Sequence, residues 1–292
     1  MSETDPAPPR VSVVLPVRNG EWFLQEALDS IFAQTFTDFE LICVDDASSD
    51  ATPEILARAE RHDERVRIVT HGERRGLPAS LDAGFALARG ELHSWMGHDD
   101  RMRPHMLSRL HAFLTADPEC DFVYSAYAEM DVAGAPMDVH NARPARDLLL
   151  GNIVGRAFLY RAEIWRELGG HDHGLECVED YDFCLRARRR FTLCPLGEVL
   201  FDYRVHSRSL TATRTAEIER LHDRLLEREI PREGHVRREA EAWLHLMQLH
   251  PDPARLRYGA RALLAHPPTV AGNVRQVLRW LRAALAGSRR AP

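Results

Sequence analysis

Four short apolar runs alternate with stretches of helical periodicity over the first third of this chain. Val11–Pro16 (VSVVLP), Glu40–Val44, Val66–Val69 and Leu92–Met96 read as buried strands. After the first, Phe23, Ala27, Leu28, Ile31 and Phe32 recur at helical spacing, with Asn19 placed to cap that helix and Glu21 in its first turn. After the second, Ser48, Ser49 and Asp50 make a capping loop, and a helix runs from Pro53 to about Arg61. Gly76 precedes a helix from about Pro78 to Ala88, ended by Gly90, and Pro104 opens another to about Ala116. Strand and helix at this spacing require an α/β fold, a mostly parallel sheet with helices on both faces.

Sheets of this kind bind ligands at the carboxyl ends of their strands. Two of the strands end in paired carboxylates, Asp45-Asp46 and Asp99-Asp100, the latter within Trp95-Met96-Gly97-His98-Asp99-Asp100-Arg101. Hard oxygen ligands there suit Mg²⁺ or Mn²⁺, which keep waters and share phosphates with a substrate. One acidic turn is an ordinary way to enter a helix; two at one edge of a parallel sheet point to a nucleotide and metal site. No GxGxxG follows the first strand and no GxxxxGK[ST] occurs, which disfavours a dinucleotide fold and a P-loop NTPase.

Further on, Asp121–Ala128 reads as a strand and Val132–Met137, around Gly134, as a hairpin turn. Ala157–Tyr160 is a short strand and Ala162–Leu168 a helix stopped by Gly169-Gly170. Glu179-Asp180 opens a helix to about Arg190, where carboxylates also complement the helix dipole. Leu200–Val205 is the last strand, followed by His206. From Ser209 the chain is helical, rich in Arg and Glu, without βα alternation. Three regions are expected: a disordered tail over 1–10, the α/β domain over 11–208, and a helical extension over 209–292.

The net charge of −6 argues against nucleic-acid binding. All 38 basic residues other than histidine are arginine. Five cysteines without a CxxC pair imply reduced thiols, no zinc site and no disulfide framework, and a cytoplasmic location. Met1–Arg10 has no apolar core of a secretory signal, and no apolar run reaches the roughly 18 residues of a membrane span. Pro253–Pro292 has no acidic residue, and Val274, Val277, Leu278, Leu281 and Leu285 form an apolar stripe beside Trp280. Such a basic amphipathic helix docks on its own domain or lies on an anionic membrane surface, which would place the protein peripherally at the inner face.

Six segments, VSVVLPVRNGE, ELICVDDASSD, RRGLPASLDAGFALARGEL, WMGHDD, GGHDHGLECVEDYDFCLR and YRVHSRSLT, stand in one order over roughly residues 10 to 212. Together they resemble the inverting family 2 glycosyltransferases of the GT-A fold, nucleotide-diphospho-sugar transferases. The resemblance implies a nucleotide-binding wall at Pro16, Val17, Arg18 and Asn19, and contacts to base and ribose from Asp45 and Asp46. It implies a loop closing over the nucleotide at Arg75-Gly76-Leu77. His98 and His171 read as loop residues that line the site, His98 on the nucleotide side. Asp99 matches the aspartate that binds the divalent cation, Mg²⁺ or Mn²⁺, and His206 a further metal or diphosphate contact. Asp180 matches the base that deprotonates the acceptor.

The implied donor is a nucleoside-diphosphate sugar, UDP-sugar by family frequency. The implied acceptor is a hydroxyl of a lipid-linked glycan, a cell-surface polysaccharide precursor, a protein or a small natural product. Two positions depart from the family's pattern: Gly97 stands where aspartate is common, and Asp82 where asparagine is frequent. A non-catalytic nucleotide-sugar-binding protein and a sugar-phosphate nucleotidyltransferase are the other readings of the same residues.

Overall fold

The apolar runs form strands whose two faces are both covered, which is why they read as continuous β-branched stretches rather than as alternations. The computed structural model describes residues 7–249, 254–274, 277 and 278. Residues 1–6 of the expected disordered tail lie outside the described residues. So do Arg275, Arg279, Trp280, Leu281, Arg282, Leu285, Arg289 and Arg290 of the expected basic helix.

Chain order is β1 (Val11–Val17), α1 (Leu24–Phe32), β2 (Phe39–Asp45), α2 (Thr52–His62), β3 (Val66–Thr70), α3 (Leu77–Phe85) and β4 (Leu92–Trp95). There follow β5 (Arg101–Met102), α4 (Met106–Ala116), β6 (Phe122–Met130), β7 (Pro136–His140), β8 (Phe158–Arg161), α5 (Ala162–Leu168), α6 (Glu179–Ala187), β9 (Leu193–Arg204) and α7 (Leu210–Thr213). The sheet order is β3-β2-β1-β4-β8-β6-β9-β5, with β7 paired to β6. β8 runs against both β4 and β6, and β9 runs with β6, so β1, β2, β3, β4, β6 and β9 all point the same way. β5 and β7 are short antiparallel additions.

One face of the sheet carries the main core. Val11, Val13, Leu15 and Val17 of β1 and Leu41 and Cys43 of β2 pack with Leu24, Leu28 and Ile31 of α1, Leu56 of α2 and Leu107 and Leu110 of α4. Burying each such side chain is worth about 1.5–3 kcal/mol. On the other face α3 lies so close that a Cβ on Gly84 would meet Val14 Cγ1 at 2.5 Å. Helices therefore cover both faces, and the carboxyl ends of β2, β1 and β4 lie side by side, with Val17 in register with Asp45.

Several boundaries differ from the sequence reading. The helix after Pro104 begins at Met106, α3 ends at Phe85 and α6 at Ala187. β9 begins at Leu193, seven residues before Leu200; Pro195 and Gly197 conceal its first half, where register shifts against β6 absorb the irregularity. Cys120 and Cys194 are disulfide-bonded, with Cα atoms 6.2 Å apart, which corrects the expectation of five free thiols. The pairing of β6 with β9 brings together cysteines 74 residues apart, a proximity no local motif announces.

The chain divides into two compact units. The first holds residues up to Ala145 and Ile153–Thr215; the second holds Arg146–Asn152 and residues from Ala216 onward. Composition suggests one cut near residue 208, but the short apolar segment at 146–152, with Leu148 and Leu149 buried, groups with the C-terminal helices. Those are α8 (Thr215–Glu229), α9 (Val236–Leu249), α10 (Ala254–Ala265) and α11 (Pro267–Gly272). Trp243 of α9 stacks on Tyr258 of α10 at 5.9 Å between ring centroids. Among the described residues no helix is long and apolar enough to cross a membrane.

Candidate active site

Among the described residues three non-glycines adopt positive φ: Asn19, Ala47 and Cys177. They lie in the turns after β1 and β2 and in the loop before α6, so uncommon backbone conformations gather where the sequence motifs gather. Asn19 does not cap α1, which starts at Leu24. Its side-chain oxygen instead accepts the Ser49 N–H at 2.9 Å, and its own N–H donates to Ser48 Oγ at 2.9 Å, tying the first turn to the second. Pro16 and Val17 belong to β1 and are buried, so only Arg18 and Asn19 of that set are in the exposed turn.

Asp45 closes β2 and accepts the Ser48 N–H at 3.0 Å. Asp46 is buried and accepts three bonds: His71 Nδ1 at 2.9 Å, Arg75 N–H at 2.7 Å and Gly76 N–H at 2.9 Å. Burial alone would raise its pKa; the His71 hydrogen bond and the two backbone donors outweigh it and hold the carboxyl below its ordinary value. Asp46 thus shapes the loop Arg75-Gly76-Leu77. Gly76 has φ +88°, and a Cβ there would press on Glu176 Oε1 at 2.9 Å. Glu176 in turn pairs with Arg74 at 2.9 Å and Arg214 at 2.5 Å, so the loop before α6 is bound to the loop before α3.

Asp99 and Asp100 are not equivalent. Asp99 Oδ2 lies 2.9 Å from His206 Nε2. Against the burial that would raise it, this hydrogen bond and the neighbouring His98 bring the Asp99 carboxyl down to about 2. Asp100 is fully enclosed; burial and the charge of Asp99 push it well above its ordinary value, and it accepts the Arg204 N–H at 2.9 Å. Of the adjacent pair, Asp99 is the one held low and facing His206, and Asp100 is the one pushed up and bonded to the Arg204 backbone. His98 packs against the first turn, where a Cβ on Gly20 would fall 2.7 Å from its ring.

Asp99 and His206 fit a substrate-shared Mg²⁺ or Mn²⁺. Such ions take one or two protein ligands and complete their shell with water and phosphate oxygens. The Asp99 carboxyl is held low and its Oδ2 faces His206 Nε2, so a cation taking both side chains would replace that contact. Among the described residues no group of three or more His, Cys, Asp or Glu is placed to hold a metal alone. A Cβ on Gly97 would lie 2.6 Å from Asp99 Oδ1, so the aspartate common at this position would require the Asp99 side chain to move.

Sequence reasoning missed the group that braces this turn. Arg204 is buried in β9; its Nε donates to the Asp99 carbonyl at 2.8 Å, one terminal nitrogen to Val132 O at 2.8 Å and the other to Glu26 at 2.6 Å. An arginine inside the apolar run LFDYRV was its one visible signal.

Asp180 lies in the first turn of α6, its Oδ1 2.7 Å from the Tyr181 N–H and its Oδ2 3.6 Å from Arg156 Nη1. Beside it Glu179 is buried with Oε2 lacking a partner; burial and the Asp180 charge raise its pKa to about 8. A cavity of about 720 Å³ lies at the opposite edge of the sheet, lined by Arg10, Gly90, Leu92 and Arg166, and none of these carboxylates borders it.

The sequence model described as Glycosyl transferase family 2 matches residues 12–173, more than half of the chain. The chain is 32% identical over 184 residues to the O-antigen biosynthesis protein RfbC of Myxococcus xanthus, covering 61% of this chain and 14% of that protein. It is 31% identical over 223 residues to the putative glycosyltransferase EpsH of Bacillus subtilis, covering 69% and 62%. A 30% match to protein y4gI of Sinorhizobium fredii covers 71% of this chain and 24% of that protein, so the chain spans less than two thirds of each of these relatives. Among solved structures, S. aureus TarS 1–349 in complex with UDP-GlcNAc superposes with a TM-score of 0.69 at 18% identity, over 87% of this chain and 79% of that one. The mannosyltransferase PcManGT from Pyrobaculum calidifontis, in complex with GDP-Man and Mn²⁺, superposes with a TM-score of 0.59 at 21% identity, over 96% and 87%. Both likenesses show the fold.

Proposed function

This chain belongs to glycosyl transferase family 2, and from that premise we propose that it moves a sugar, with inversion, from a nucleoside-diphosphate donor to an acceptor hydroxyl. The observation that carries the reading is the separation of two acidic roles within one structural unit: Asp99 is paired with His206, and Asp180 opens a different element beside Arg156. The turns at 18–19 and 45–46 and the loop 75–77 receive the nucleotide. Asp99 and His206 hold a Mg²⁺ or Mn²⁺ ion, which when bound offsets charge on the donor diphosphate. Asp180 takes the proton of the attacking hydroxyl as the new bond forms at the anomeric carbon.

UDP-sugar is the proposed donor, supported by the likeness of fold to a UDP-GlcNAc complex; the GDP-Man complex of the second neighbour keeps GDP-sugars in the test. The similarity to an O-antigen biosynthesis protein supports an acceptor in cell-surface polysaccharide or glycoconjugate assembly. A cytoplasmic site of action, with peripheral membrane contact through the basic C-terminal segment, completes the proposal.

The test is a thermal-shift panel of UDP, GDP and dTDP with and without Mn²⁺, on the native chain and on Asp99→Ala. One base should stabilise the protein more in the presence of Mn²⁺, and Asp99→Ala should abolish the metal-dependent part. If no nucleotide shifts the melting point, this reading of the site fails.

A further inference from the structure

Arg156 lies in the segment between β7 and β8 and belongs to none of the motifs above. Its guanidinium carries five N–H donors. Among the described residues it makes no hydrogen bond: its one ion pair, to Asp180 Oδ2, is 3.6 Å long, and its other contact is the face of Tyr203, 5.1 Å away. The side chain is only 29% exposed. The guanidinium keeps some access to solvent, so its N–H donors are open to an anionic oxygen that enters the site, and hydrogen bonds to such an oxygen are among the strong ones.

The backbone is built to place this side chain. Gly155 has φ +67°, and a Cβ there would lie 2.7 Å from the Tyr127 ring, so the chain turns tightly just before Arg156. The position relative to the carboxylates points to the ligand. The Arg156 charge is felt by Asp180 and Glu179 on α6 and by Asp100 in the turn that carries Asp99; these carboxylates keep its pKa above the ordinary arginine value despite burial. It therefore lies beside the group that would receive the acceptor proton and within electrostatic reach of the turn that would hold the diphosphate.

In the transfer proposed above, the acceptor oxygen bonds to the anomeric carbon and its proton passes to Asp180. The electron pair of the breaking bond goes to the bridging oxygen of the β-phosphate, which leaves as part of the nucleoside diphosphate. Negative charge grows between the two acidic elements, and a fixed guanidinium there would be more useful to the transition state than to the ground state.

We propose that Arg156 is a catalytic residue of this reaction, donating hydrogen bonds to the β-phosphate of the donor and offsetting the charge of the leaving diphosphate. The inference rests on the glycosyltransferase reading of the site. It also fits a cation position where Gly97 leaves Asp99 as the available carboxylate of its turn.

The test compares a nucleoside diphosphate with its monophosphate, which lacks the β-phosphate. UDP and UMP, GDP and GMP, and dTDP and dTMP are titrated calorimetrically into the full chain in EDTA, with native protein, Arg156→Met and Arg156→Lys. For the base that binds, Arg156→Met should weaken the diphosphate roughly 10- to 100-fold while leaving the monophosphate nearly unchanged. Arg156→Lys, which keeps the charge but loses the fork, should show a smaller fall. Retained monophosphate binding reports that each variant is folded; should Arg156→Met fail to fold, the Lys variant is read by the same ratio. A diphosphate-to-monophosphate ratio unchanged by substitution overturns the assignment. If the native chain binds no nucleotide in EDTA, the same titrations are run with Mn²⁺ and read by the same ratio; no binding there either fails the reading of the whole site, and this inference with it.

Discussion

Asp82 offers the sharpest test of the electrostatics. It is half-hidden on α3 and accepts hydrogen bonds from Trp165 Nε1 at 2.9 Å, from the His171 N–H at 3.1 Å, from His171 Nδ1 at 2.8 Å and from His173 Nε2 at 2.9 Å. Burial by itself would raise this carboxyl; the hydrogen bonds from His171 and Trp165 chiefly outweigh it and bring it from 3.8 down to about 2. At about 1.4 kcal/mol per pH unit, that difference stabilises the fold by on the order of 2 kcal/mol. With the Asp82 side chain only 19% exposed, solvent screening removes little of it. Because the folded pKa is depressed, the contribution is fully present above the unfolded value near 4. It is lost as pH falls through about 2.

Asp82→Asn keeps the shape and one acceptor oxygen and removes the charge. It should destabilise the protein by about 2 kcal/mol at pH 7, a fall of roughly 4–8 °C in Tm for a unit of this size. In paired urea denaturation at pH 7, 5, 3.5 and 2.5 the gap between native and variant should hold to about pH 5 and then close. A gap of the same size at pH 7 and pH 2.5 would refute the reasoning, as would an Asn variant as stable as the native chain. The second outcome bears directly on the departure from the family, where asparagine is frequent at this position.

Two further outcomes follow from α6. Asp180→Asn should lower transfer by roughly 100-fold or more while leaving nucleotide diphosphate affinity within about threefold; parallel turnover and calorimetry decide this, and undiminished turnover excludes Asp180 as the base. Glu179 is held near 8 by burial and by Asp180, so folding takes up a proton at neutral pH and stability is lost as pH rises from about 4.5 to 8. Glu179→Gln, a mimic of the neutral form, should therefore gain in Tm relative to the native chain between pH 5 and pH 8. Parallel Tm curves across that interval would count against it.

The sequence made the βα half of the fold legible because each of its elements announces itself locally. VSVVLP and ELICV are buried-strand runs, and Phe23 to Phe32 show helical spacing that needs no partner to be seen. The second half was harder. β9 was read only from Leu200 because Pro195 and Gly197 interrupt its start, yet pairing with β6 carries the strand through them. Asn19 looked like a helix cap because its residue type suits that role. Its bond to Ser49 arises from a neighbouring turn that only the adjacency of β1 and β2 supplies. Nothing local to His171 announces its partner Asp82, which is 89 residues away.

Local pattern thus determined the class of fold, the family and the acidic types presented at the strand ends, since periodicity and side-chain chemistry are properties of neighbours in the chain. The tertiary structure alone decided what those groups are. It set Asp99 against His206, buried Asp100 as an acceptor for the Arg204 N–H, seated Arg156 beside Asp180, and joined Cys120 to Cys194. Each of those outcomes depends on desolvation and on partners far off in sequence, and neither quantity exists until the strands have paired.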